Sequence, residues 1–126
     1  MLILSRKKTG LRAMIYMRNF YQGDIWLTRV AFEDRGMWVY KARPVIIVGN
    51  RATMDQDIII VPCTSQAARN DYDVLLLEWS IYGLPVPTVA RIAKVQNVHK
   101  RHFIRWIDGL RSKDWSRIKR KLDKLF

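Results

Sequence analysis

The chain has 126 residues, 49% of them hydrophobic and 27% charged, which fits one domain with a core of its own. Its formal net charge of +12 exceeds what solubility requires and points to a polyanionic partner, nucleic acid first and acidic protein second. No apolar run approaches the roughly 18 residues of a membrane-spanning helix. A single cysteine excludes an internal disulfide and fits a reducing cytoplasm.

The charge is unevenly spread. Residues 1–20 carry five Lys/Arg and no acid, residues 21–93 carry seven against eight Asp/Glu, and residues 94–126 carry eleven against three. Two strongly basic ends therefore flank a near-neutral middle. The first segment, with Arg6, Lys7, Lys8, Arg12 and Arg18, has no clean periodicity and no secretory apolar core. It reads as a basic N-terminal extension over residues 1–20, ahead of a domain over residues 21–126.

Gly23-Asp24 opens a strand over Ile25–Phe32, followed by a charged turn, Glu33-Asp34-Arg35-Gly36, and a loop or edge ribbon through Ala42. Arg43 precedes Pro44, which biases its backbone toward an extended conformation. Then come the two most apolar stretches, Val45-Ile46-Ile47-Val48 and Ile58-Ile59-Ile60-Val61, β-branched throughout. They read as buried strands. As antiparallel neighbours they would bring Arg43, at the start of the first, beside Thr64, Ser65 and Gln66, at the end of the second. A guanidinium fork beside two hydroxyls is a natural phosphate site. The structural alternatives are an Arg43 ion pair with Asp24 or Glu33, and turn capping by Thr64 and Ser65. Cys63, adjoining the isoleucines, reads as a buried reduced thiol rather than a nucleophile.

Further on, Asp73–Glu78 reads as a strand, Trp79–Pro87 as a loop, Thr88–Val95 as a strand, 99–102 as a turn and Phe103–Ile107 as a last strand. His99 and His102 have the pKa range for proton transfer, as candidate bases beside Glu33 and Asp34. No cysteine or carboxylate cluster accompanies them, so neither a metal nor another cofactor is expected. The tail reads as a helix. Ser112 is its N-cap candidate, Asp114 lies near the positive dipole end, and Trp115, Ile118, Leu122 and Leu125 form one apolar stripe. Short strands with one terminal helix give a mainly β fold, a small barrel. Among the five tryptophans, Trp38 beside Gly36 is the best placed to stack on a base.

Gly23-Asp24-Ile25, Arg43-Pro44-Val45-Ile46-Ile47-Val48, Val61-Pro62-Cys63-Thr64-Ser65-Gln66, Gly83-Leu84, Thr88-Val89-Ala90-Arg91, Lys100 and Gly109-Leu110-Arg111-Ser112 occur in one order and spacing. That set resembles the MazF/PemK toxins of bacterial toxin–antitoxin modules. The resemblance implies an SH3-like barrel of PemK/MazF type with a C-terminal helix, forming a homodimer in the cytoplasm. It implies a metal-independent endoribonuclease that cuts single-stranded RNA at short sequences, leaving 2′,3′-cyclic phosphate and 5′-hydroxyl ends, and an acidic antitoxin as partner. The family's catalytic arginine matches Arg43 and its catalytic threonine matches Thr64. Some members also use an arginine at the position of Arg91, paired with a carboxylate two residues on. Here that position is Ala93, and the segment from Glu33 to Trp38 also departs from the usual loop. Ser65, Gln66, Glu33, Trp38, His99 and Lys100 are the expected RNA contacts. The competing expectations are a non-catalytic toxin on the same barrel, of the gyrase-poisoning CcdB type, and an inactive RNA-binding relative.

Overall fold

The computed structural model describes residues 19–126. The basic extension expected over 1–20 lies outside the described residues, except for Asn19 and Phe20. Seven strands are present: β1 (Asp24–Asp34), β2 (Met37–Ile47), β3 (Asp57–Thr64), β4 (Asp73–Leu75), β5 (Val89–Arg91), β6 (Gln96–His99) and β7 (Phe103–Gly109). One helix, α1 (Ser112–Leu125), ends the chain. The strands run β4-β5-β3-β2-β1-β7, with β6 also on β3, and every pairing is antiparallel. The mainly β class with a C-terminal helix is as expected. The hydrogen-bonded path is open, with edges at β4 and β7. The chain passes from β6, beside β3, to β7, beside β1, through the 3-10 turn Lys100–His102, which curls the two sides toward each other.

The sheet buries both faces in its centre because the two isoleucine-rich runs fill both. Val45, Ile47, Ile58 and Ile60 point into one cluster, with Trp26, Val98 and Phe103. Ile46, Val61 and Cys63 point into the other, which Ile118 and the partly buried Trp115, Leu122 and Leu125 of α1 cover. Full burial of one such aliphatic side chain stabilises the fold by about 1.5–3 kcal/mol. Among the described residues no helix is long and apolar enough to cross a membrane.

Several local expectations are corrected. The charged turn expected over Glu33–Gly36 narrows to two residues, Arg35 at φ +55° and Gly36 at φ +81°, and the expected loop or edge ribbon through Ala42 is part of β2. Asp34 pairs with Met37, so the hairpin continues to its tip. Positive φ at both central residues is the twist-matched turn for a two-residue hairpin. The strand expected over Asp73–Glu78 stops at Leu75, because the next donors turn elsewhere: Leu77 N–H and Glu78 N–H donate to the Asp114 carboxylate at 2.8 and 3.1 Å. The strand expected over Thr88–Val95 is only Val89–Arg91, since Ile92–Lys94 forms a 3-10 turn. β6 was not expected; its polar, nearly uncharged sequence hid a strand that pairs Ile58 with Val98.

Ser112 is the first helical residue rather than the cap. Arg111 occupies the cap position and makes no side-chain capping bond. The entry is fixed instead by Tyr82, whose hydroxyl accepts from Arg111 N–H at 2.9 Å and donates to Asp114 at 2.7 Å.

Candidate functional site

Three neighbouring strands, β5, β3 and β2, carry Arg91, Thr64 and Arg43. The β2–β3 ladder pairs Ile47 with Ile60, Ile46 with Val61 and Val45 with Pro62, where pairing ends. Arg43 and Thr64 each lie two residues beyond that last pair, at the same end of the ladder. Alternation puts both on the face of Val45 and Pro62. On the other side Thr64 pairs with Val89, so Arg91, two residues on, lies diagonally across from Thr64 on the same face.

Arg43 is half-buried. Its guanidinium lies 4.9 Å from the centre of the Phe32 ring, and Lys41 Nζ lies 4.8 Å from the same ring. Among the described residues no carboxylate pairs with it, so its fork of donors is available to an anion. Thr64 Oγ1 accepts from Gln66 N–H at 3.1 Å. The threonine does cap the turn after β3, and that bond uses a lone pair, which leaves the O–H free to donate. Ser65 and Gln66 follow at the exposed end, where Gln66 Oε1 accepts from the Arg69 guanidinium.

Arg91 has a carboxylate partner that no short motif revealed. Asp73, opposite it on β4, lies 3.7 Å from Arg91 Nε and is 2% exposed. Asp73 also accepts from Arg69 N–H at 2.9 Å. The only available signal was pairing of the two strands, which a local pattern does not contain.

The other expected residues are not brought to this rim within the protomer. Glu33 and Trp38 face each other near the hairpin tip, whereas Arg43 pairs with Thr28, about 17 Å back along the strand. Asp34 lies one residue further out. His99 pairs with Asp57 at the start of β3, about 23 Å from Thr64 along that strand. There His99 and Lys100 line a groove of about 340 Å³ with Trp26 and Phe103. His99 Nδ1 accepts from Arg101 N–H at 3.0 Å. His102 stacks on Tyr40, with ring centres 5.4 Å apart. Burial lowers its pKa below the ordinary value, with Arg101, His99 and Arg29 adding to the effect. Burial likewise pushes the Cys63 thiol up to about 12, so it is an inert core group.

Residues 21–126 match the family model described as PemK-like, MazF-like toxin of type II toxin–antitoxin system. The chain belongs to this family. It is therefore a toxin of a type II toxin–antitoxin system. The toxin's fold is similar to that of Mycobacterium tuberculosis toxin MazF-mt6, at 19% identity and TM-score 0.66, covering 82% of this chain and 95% of that one. A mycobacterial endoribonuclease in complex with its cognate antitoxin is similar at 16% identity and TM-score 0.66, covering 85% and 94%. MazE–MazF from Deinococcus radiodurans is similar at 16% identity and TM-score 0.64, covering 84% and 94%. At these identities the likeness is one of fold. A comparison with curated proteins gave no match.

Proposed function

We propose that the toxin is a metal-independent, sequence-selective endoribonuclease of the mRNA interferase type, leaving 2′,3′-cyclic phosphate and 5′-hydroxyl ends. The observation that carries this reading is a half-buried guanidinium, unpaired with any described carboxylate, at the same end of the β2–β3 ladder as a threonine whose hydroxyl proton is free. The 2′-oxygen attacks the adjacent phosphorus, the bond from phosphorus to the 5′-oxygen breaks, and a proton passes overall from the first oxygen to the second. Negative charge grows on the phosphoryl oxygens during the step. Arg43 binds two of them through its planar fork, and the Thr64 O–H donates to one. Arg91, held by Asp73, stands beside the leaving oxygen and eases its departure. Asp73 takes the place of the carboxylate missing at Ala93. None of Glu33, Asp34, His99 and His102 stands at this rim within the protomer, and the proposal gives none of them the base's role.

Gln66, Ser65, Lys100, His99, Glu33 and Trp38 contact the single-stranded RNA away from the cleaved bond. The net charge of +12 draws the polyanion in. The same charge favours an acidic antitoxin laid over the site, in a complex that weakens with salt. The toxin works as a homodimer in the cytoplasm.

The test is cleavage of single-stranded RNA in EDTA, with both new ends mapped. Wild type should yield cyclic phosphate and 5′-hydroxyl ends, and Arg43→Ala or Thr64→Ala should abolish them. Intact RNA after long incubation, or full activity in both variants, rejects the reading.

A further inference from the structure

β4 is three residues long and lies at an edge of the sheet, beside β5. So short a ladder holds a strand loosely unless something else supports it. The first residue of β4, Asp73, faces Arg91. The two meet as an ion pair at 3.7 Å, longer than a hydrogen bond, and the buried Arg91 Nε has no hydrogen-bond partner among the described residues. No direct bond locks the pair, so its geometry depends on where the backbone holds β4.

α1 supplies that hold. Arg117 donates to the carbonyl of Leu75, the last residue of β4, at 2.6 Å. Lys121 Nζ lies 5.6 Å from the centre of the ring of Tyr72, the residue just before β4. Arg117 and Lys121 are four apart and so share one face of the helix. Between them they bracket Asp73 and Val74. Asp114 braces Arg117 at 3.5 Å and accepts from Leu77 and Glu78 N–H, just past β4. At the other end, Tyr72 O accepts from Ile92 N–H at 2.9 Å, which ties the entry to β4 to the residue after Arg91.

We propose that Arg117, with Lys121 beside it, is a positioning residue for the reaction: it fixes β4, and β4 sets Asp73 against Arg91. The terminal helix thereby governs a cationic side chain of the site without reaching it. This deepens the ribonuclease reading and rests on it. Docking of α1 does not need Arg117, because Ile118, Trp115, Leu122 and Leu125 already seat the helix on the core. Arg117 is 33% exposed, so its polar contacts add little stability. What they add is the placement of one short strand.

The test combines steady-state RNA cleavage with NMR of the Arg91 side chain. Arg117→Ala should lower kcat about tenfold, with KM and melting temperature little changed. Arg117→Lys, able to donate to the same carbonyl, should restore most of it, and Lys121→Ala should act in the same direction more weakly. Arg120→Ala removes the same charge from an exposed position of α1 and should leave kcat unchanged, which separates placement from lost attraction for RNA. In an Asp73→Asn background, Arg117→Ala should have no further effect, since the pair it places is already broken. Solvent exchange of the Arg91 Nε–H should quicken several-fold in Arg117→Ala. Unchanged kcat in Arg117→Ala overturns the proposal, and so does a fall that Arg117→Lys does not rescue or that persists in full beside Asp73→Asn. If the wild type never cuts RNA while Arg117→Ala still speeds Nε–H exchange, the ribonuclease reading fails and the hold of α1 on Arg91 stands.

Discussion

The carboxylate of Asp114 accepts a 2.7 Å hydrogen bond from the Tyr82 hydroxyl, joining the first turn of α1 to the segment between β4 and β5. Asp114 is fully buried. It also accepts from Leu77 and Glu78 N–H and lies 3.5 Å from the Arg117 guanidinium. Truncation would strand three donors and a cation. Asp114→Ala should therefore destabilise the toxin by about 3–5 kcal/mol, and Tyr82→Phe by about 1 kcal/mol. Ser112→Ala should cost little, since Ser112 makes no capping bond. Urea titration of the three variants would check the ranking.

The turn at the tip of β1–β2 invites a stabilising change. Arg35 adopts φ +55°, which a side chain other than Asn or Gly tolerates poorly. Arg35→Asn should stabilise the toxin by about 0.5 kcal/mol. Gly36→Ala, at φ +81°, should destabilise it by about 1 kcal/mol. Thermal denaturation reads both.

Alkaline pH should weaken the fold through Cys63. Its thiol, ordinarily near 9.0, is held up to about 12 by burial, so the folded chain keeps a proton that the unfolded chain loses. The full contribution is present below pH 9 and is lost as pH rises from 9 toward 12, by up to about 1.4 kcal/mol per pH unit. Burial and the Asp114 contact raise the Tyr82 phenol as well, which adds to the loss at the upper end. Cys63→Val should flatten the lower part of that decline. Denaturant midpoints measured at pH 8, 9 and 10 in both proteins would show it.

The rim predicts a split between charge and geometry. Arg43→Lys keeps the cation but loses the planar fork, so kcat should fall about 10²-fold. Thr64→Ser keeps the hydroxyl and should retain most activity, whereas Thr64→Val should lose it. Asp73→Asn should lower kcat by unsettling Arg91. A double-mutant cycle of Asp73→Asn with Arg91→Lys should show coupling of about 1 kcal/mol. Additive effects would show that the 3.7 Å pair does no positioning.

The pairing of β2 with β3 was legible in the sequence. Two β-branched runs with polar residues at opposite ends admit one simple antiparallel pairing, and the structure has it, from Val45 with Pro62 to Ile47 with Ile60. The apolar stripe of α1 was equally plain, because a helical period of apolar side chains has to be buried somewhere. What local pattern did not contain was every relation between residues distant in the chain. Asp114 looked like a dipole partner at a helix start and is a buried anchor for Leu77, Glu78 and Tyr82. His99 and His102 looked like one pair and lie in different surroundings, one on the groove with Trp26 and the other on Tyr40.

The sequence by itself determined the strand-rich class, the terminal helix and the basic ends, since these depend on composition and on periods of two and 3.6. Tertiary structure alone decided that Asp73 supplies the carboxylate for Arg91, that the hairpin runs to its tip, and that Trp38 and Arg43 occupy opposite faces. Those outcomes follow from strand register and twist, which are set by packing across the whole sheet and leave no mark in any short stretch of chain.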